Sequence, residues 1–168
     1  VADEQQAGTV ADAGAVAGVV DVLDLLDLDE PLQRDGIEPT HLAHRLEHAD
    51  QTFDLIYAFS VFTHLTEPEQ HLWMRELARL LKPGGFLVLS TMPEHNLSVC
   101  GEGARERFRS GRLVVLNAVD SGKNACVVFH PYSYVKETLA PGFEVLEFIP
   151  DGVWQDFWLL RKRPEAAT

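Results

Sequence analysis

The residues most able to do chemistry in this sequence are its histidines. His64 ends Phe62-Thr63-His64, directly after an apolar run at residues 53–61 and just before a helical pattern. A polar residue on a loop between a buried strand and a helix either faces solvent or takes part in chemistry. Histidine changes charge near neutral pH, so proton transfer is the chemistry to look for. His41, His44 and His48 lie three and seven apart, which would put all three on one face of a helix. A metal site there is conceivable, but a solvated helix face is the commoner arrangement. Cys100 and Cys126 are the two cysteines, far apart and without C-x-x-C spacing, so neither a disulfide framework nor a zinc site is expected.

These side chains need elements to hold them. Residues 53–61, Phe-Asp-Leu-Ile-Tyr-Ala-Phe-Ser-Val, read as a strand buried on both faces of a parallel sheet. Thr66-Glu67-Pro68-Glu69 has the capping-box spacing, with Thr66 at the N-cap and Pro68 tolerated in the first turn. Trp73, Leu77, Leu80 and Leu81 repeat at helical spacing until Lys82-Pro83-Gly84-Gly85 stops the helix. Residues 86–90 form the next buried strand. Strand, helix, glycine turn, strand is a βαβ unit, which predicts parallel strands and a right-handed crossover.

Further on, residues 113–116 and 126–129 would pair around the turn at 120–124. A helix is expected over 131–140, with Ser133 a candidate cap. Residues 143–149 alternate apolar and acidic, and the chain turns at Pro150-Asp151-Gly152 and returns as a strand over 154–160. Earlier, residues 19–29 carry Asp at every third position between aliphatics. An amphipathic helix with an acidic face is the plain reading, with a strand as the alternative.

The chain has 168 residues and a net charge of −12. Residues 1–50 hold 12 acidic and two basic residues, against 14 and 12 in residues 51–168. That imbalance argues against nucleic acid as a partner and marks a boundary near residue 50. The expected organisation is an acidic segment at 1–50, an α/β domain at 51–163 and a frayed tail at 164–168. Neither a membrane span nor a signal peptide is expected, and the location expected is cytoplasmic. The first residue is Val1, which suits a processed product or a piece of a longer chain.

The sequence resembles the class I S-adenosylmethionine-dependent methyltransferases. Residues 53–65, "FDLIYAFSVFTHL", look like the family's fourth strand and following loop. Residues 75–87, "RELARLLKPGGFL", look like its next helix, turn and fifth strand. The terminal antiparallel hairpin fits as well, and the likeness spans roughly residues 46–163. It implies an α/β fold: a Rossmann-like, mostly parallel sheet with a C-terminal antiparallel hairpin, incomplete at its N-terminal half. Ligands in such sheets bind at the C-terminal strand ends. The resemblance therefore implies cofactor contacts at Phe59, Ser60 and Val61, and acceptor contacts at Thr63 and His64. Phe59 and Val61 equally suit a core role, and Ser60 a strand end. S-adenosylmethionine is the implied cofactor, and His64 would act as base where the acceptor is protonated. Asp35 would stand where the family's adenine-contacting acid sits. The acceptor is expected to be a small molecule.

The pattern departs from the family before residue 53. No Gly-x-Gly occurs in residues 1–52, and Val22-Leu23-Asp24-Leu25 runs on where glycines should stand. A Cβ there would block backbone approach to a cofactor. Only 27 residues separate residue 25 from residue 53, less than one βαβ unit needs. The fourth strand would then lack its usual neighbour and leave an exposed edge. Three arrangements answer this: a fragment with an unrelated N-terminal third, a shortened member in which residues 17–28 supply the strand, or a second chain or dimer mate that completes the sheet. A catalytically inactive binding module is the rival functional reading. A short dehydrogenase is a third, because Tyr132 and Lys136 have Tyr-x-x-x-Lys spacing, but no nicotinamide fingerprint precedes them.

Overall fold

The computed structural model describes residues 18–22, 46, 48–121 and 125–164. Asp35, His41 and His44 lie outside the described residues, as does most of the acidic stretch at 19–29.

The described strands form a sheet of order β1-β2-β3-β7-β6. Strand β1 (Val19–Asp21) pairs parallel with β2 (Phe53–Ala58), with Val20 opposite Ile56. Helix α1 (Glu67–Leu80) leads into β3 (Leu81–Thr91), which pairs parallel with β2. The C-terminal hairpin joins antiparallel: β7 (Asp156–Lys162) lies against β3, and β6 (Phe143–Ile149) forms the far edge. A second, two-stranded sheet pairs β4 (Val114–Leu116) with β5 (Val127–Phe129) antiparallel. This is the α/β, Rossmann-like sheet with an antiparallel end that the resemblance implied.

Three expectations change. Residues 19–21 are strand rather than amphipathic helix. Val19, Val20 and Asp21 each face a β2 residue, and a ladder partner outweighs the helical spacing of the aspartates. So a strand from within residues 17–28 does lie beside β2, and Val22, directly after it, is fully buried. Second, Ser133 is not a cap. Tyr132–Tyr134 is a single α turn (α3) whose N-cap position is Pro131, and it widens to π-type turns over Val135–Leu139. Third, the last strand starts at Asp156, two residues late. Trp154 has φ +72° and projects into solvent as part of the turn.

The family signatures "FDLI" and "LKPGG" meet in space. Lys82 Nζ donates to Asp54 Oδ2 at 2.7 Å. Gly84 adopts φ +78°, open to glycine without strain. A Cβ on Gly85 would stand 2.9 Å from the Lys82 carbonyl and 3.1 Å from that of Asp54. The second glycine is therefore what lets β3 lie against β2. The core beneath is made of Ile56, Ala58, Leu77, Leu80, Leu81, Leu87, Leu89, Trp158 and Leu160.

The helix start behaves as its spacing indicated. Thr66 and Glu69 form the capping box, with the Thr66 amide donating to Glu69 Oε2 at 2.6 Å. The other end of α1 holds the segment before β2. Arg79 donates to the carbonyls of His48 and Leu46 and to Asp50, while Glu76 accepts the Leu46 amide. Two further helical stretches, a 3-10 turn at Glu94–Val99 and α2 (Glu102–Arg109), occupy the region after β3.

Candidate functional site

The C-terminal ends of β1, β2 and β3 lie on one edge. Because β7 runs antiparallel and pairs Asp156 with Thr91, the β6–β7 turn lies at the same edge. Three loops therefore meet there: the one after β2, the one after β3 and the hairpin turn.

Ser60 is the hinge of the first loop. Its φ of +58° is a left-handed conformation that costs a serine energy. Two contacts hold it: the Ser60 amide donates to Ser90 Oγ at 2.8 Å, and Gln155 Nε2 donates to Ser60 Oγ at 3.0 Å. Ser90 is fully buried at the end of β3, so the loop conformation is tied to the sheet and to the hairpin turn together. The Gln155 carbonyl oxygen is buried without a partner among the described residues.

Phe59 departs from a core role. It is 47% exposed and stacks on Phe157 with ring centroids 5.6 Å apart. Val61 is half-buried against the core. Thr63 is completely buried, and its hydroxyl has no hydrogen-bond partner among the described residues.

His64 ends a 3-10 turn, Phe62–His64, and is half-buried. Its Nδ1 lies 2.7 Å from the Cys126 carbonyl oxygen. A carbonyl only accepts, so Nδ1 carries a proton, and the tautomer that the contact selects for a neutral ring has its lone pair at Nε2. The β4–β5 hairpin supplies that carbonyl just before β5, and its turn residue Ser121 also bonds Glu69 and the Thr66 amide. The hairpin thus buttresses the histidine loop.

Beneath the loop, Gln70 is fully buried. Its amide donates to the carbonyls of Phe62 (3.1 Å) and Leu65 (2.8 Å), and its Oε1 accepts from His130 Nε2 at 3.0 Å. Burial pushes His130 down to about 3, so the ring is neutral, and its Nδ1 is an unpartnered acceptor among the described residues. Nothing in the local sequence marks Gln70, Ser90, His130 or Gln155. Apart from the two carbonyls just before Gln70, their partners lie from 30 to 95 residues away, beyond the reach of local pattern.

The loop after β3 and the hairpin turn make a separate cleft of about 430 Å³, lined among others by His95, Leu97, Arg105, Phe108, Arg109 and Asp151. None of Phe59 to His64 lines it. Among the described residues, no group of histidine, cysteine and acidic side chains is arranged to hold a metal ion, and no helix is long and apolar enough to cross a membrane.

Residues 30–89 match the family model of the methyltransferase domain. Among solved structures, an S-adenosylmethionine-dependent methyltransferase from Methanosarcina mazei is 18% identical, with 74% of this chain aligned to 65% of that one and a TM-score of 0.47. A Listeria monocytogenes protein assigned as an S-adenosylmethionine-dependent methyltransferase is 9% identical, over 73% of this chain and 66% of that one, with a TM-score of 0.50. The Burkholderia thailandensis 1,6-didemethyltoxoflavin-N1-methyltransferase, solved with 1,6-didemethyltoxoflavin and S-adenosylhomocysteine, is 14% identical over 74% of this chain and 48% of that one, TM-score 0.48. This chain spans less than two thirds of the length of each. The sheet order and the matched segment give an α/β, methyltransferase-like fold. The resemblance read from the sequence is borne out: over residues 30–89 the chain is similar to the methyltransferase domain.

Proposed function

We propose that this chain takes part in S-adenosylmethionine-dependent methyl transfer to a small-molecule acceptor, with His64 accepting the acceptor's proton. The observation that carries the reading is the His64 tautomer. The Cys126 carbonyl fixes the proton on Nδ1 and leaves Nε2 basic, on the loop after the strand whose C-terminal end faces the family's ligand edge. Thr63 and His64 are the acceptor contacts on this reading. Phe59, Ser60 and Val61 are the cofactor contacts, with Asp35 as the adenine-contacting acid.

The residues at this edge suit the cofactor in one specific respect. The buried Gln155 carbonyl beside Ser60 lacks a donor among the described residues, and the cofactor's amino groups are donors. S-adenosylmethionine supplies an activated methyl on a sulfonium. What the chain supplies is alignment and, for a protonated acceptor, a base. The held left-handed Ser60 and the buttressed His64 are the fixed points such alignment needs.

A second reading, a methyltransferase-like module without activity, is favoured by Val22. A fully buried valine follows β1 where the family has glycine for backbone approach. Calorimetric titration of the 168-residue protein with S-adenosylmethionine and S-adenosylhomocysteine decides between them. Micromolar binding supports the transfer reading, and a folded protein that binds neither supports the inactive module.

A further inference from the structure

A second cavity lies away from the ligand edge, between α1 and the segment that leads into β6. It measures about 190 Å³ and is lined among others by His71, Met74, Arg75, Thr138, Leu139 and Phe143. Phe143 opens β6 and pairs with Lys162 at the end of β7, so the cavity sits toward the sheet edge opposite Ser60 and His64. Its floor is apolar, since Met74, Leu139 and Phe143 are all buried in the main core. Two basic side chains share its rim. His71 and Arg75 are four apart on α1 and so lie on one helix face. Arg79, the next arginine of that helix, is spent on Glu76, Asp50 and two backbone carbonyls. Arg75 is exposed and has no hydrogen-bond or ion-pair partner among the described residues, so its guanidinium keeps all its donors.

The wall across from α1 has a backbone of its own kind. The Ala140 amide donates to the Val135 carbonyl, five residues back, at 2.9 Å, and the chain runs as π turns over Val135–Leu139. Such turns are rare and gather at functional sites. The stretch ends in Thr138, Leu139 and Ala140, which line the cavity. We propose that this cavity is a binding site for a short-chain monocarboxylate, separate from the methyl-transfer site. The carboxylate pairs with Arg75 at the rim, and the alkyl chain lies on Met74, Leu139 and Phe143. About 190 Å³ is the room of about six water molecules. A carboxylate with about three or four further carbons fills it, so butanoate and 3-methylbutanoate are the fitting ligands. The Tyr134 hydroxyl donates to Glu67 in the first turn of α1, and Gln70 holds the carbonyls of Phe62 and Leu65. A ligand that bridges α1 and the π turns therefore braces the helix on which the His64 loop rests.

The test is titration of the protein with sodium butanoate and 3-methylbutanoate at matched ionic strength, read from the methionine methyl resonances. The chain has two methionines. Met74 lines the cavity, while Met92 packs against the separate cluster around Leu97 and serves as the reference. Movement of the Met74 methyl without Met92 is expected. Butanamide, which keeps the chain, and acetate, which keeps the charge, should each bind about tenfold more weakly. Arg75→Gln should bring butanoate down to the level of butanamide, and Arg75→Lys should keep most of the preference for the acid. Thr138→Trp, at the mouth, should abolish the Met74 response. Arg75 and Thr138 are both exposed, so these variants keep the fold. Butanoate should also raise the thermal unfolding midpoint of wild type and leave that of Arg75→Gln nearly unchanged. No movement of Met74 at tens of millimolar butanoate overturns the proposal. Equal binding of acid and amide, or a response that Arg75→Gln leaves intact, overturns it as well.

Discussion

His64 and Gln70 show how one residue's chemistry is set by partners far away in sequence. His64 was marked by its place between strand and helix, yet its tautomer is fixed by Cys126, 62 residues on. On the transfer reading, His64→Ala should lower the turnover of a protonated acceptor by roughly 10²- to 10⁴-fold, while S-adenosylhomocysteine binding changes little. Steady-state rates beside calorimetric titration check this; equal losses in both would point to packing instead. Gln70 carries no mark in the sequence, because a glutamine at a helical position is ordinary. Its burial makes it structural: Gln70→Leu strands two loop carbonyls and the His130 ring. Since each unsatisfied buried group costs about 1–3 kcal/mol, urea denaturation should show a loss of at least about 2 kcal/mol.

At the scale of elements, the pair "FDLI" and "LKPGG" was legible because its meaning is local to two adjacent strands. The structure explains the pairing by a close approach more than by charge. The Lys82–Asp54 ion pair is partly exposed, so Lys82→Ala should cost no more than about 1 kcal/mol. Gly85→Ala must push a Cβ against two backbone carbonyls that cannot step aside, and should cost clearly more, about 1–3 kcal/mol. Thermal or urea unfolding of the two variants ranks them; the reverse order would sink the close-approach explanation. The capping box was also legible, since both its members lie within one turn. The strand at Val19–Asp21 was legible only as an alternative, because its short ladder runs against the helical spacing of the aspartates and is decided only beside β2. Likewise Ser60's left-handed backbone has no sequence mark: a serine there is tolerated only because Ser90, from β3, and Gln155, from the hairpin turn, hold it. The contact between His95 and Asp151, 56 residues apart, falls in the same class.

For the whole molecule, the buried histidine links the core to pH. His130 sits under the His64 loop, bonded to Gln70, and its folded value is about 3 against an ordinary 6.5. Between those values the unfolded chain binds a proton that the folded chain refuses. The stability contributed by the neutral ring is therefore complete above about pH 6.5 and is lost as the pH falls toward 3. From pH 7 to pH 5 that loss is about 2 kcal/mol. Asp156 works the other way: burial raises its carboxyl, so its ionised form strains the fold at neutral pH and protonation relieves it on acidification. The histidine dominates between pH 7 and 5, since its ordinary value of 6.5 lies inside that range while a carboxyl's ordinary value lies below it. Urea unfolding of wild type should accordingly weaken from pH 7 to 5, and His130→Asn, which keeps a donor for Gln70 but does not titrate, should remove most of that slope. A variant as acid-sensitive as wild type would mean that other groups carry the transition, and that the proton does not reach the floor of the His64 loop.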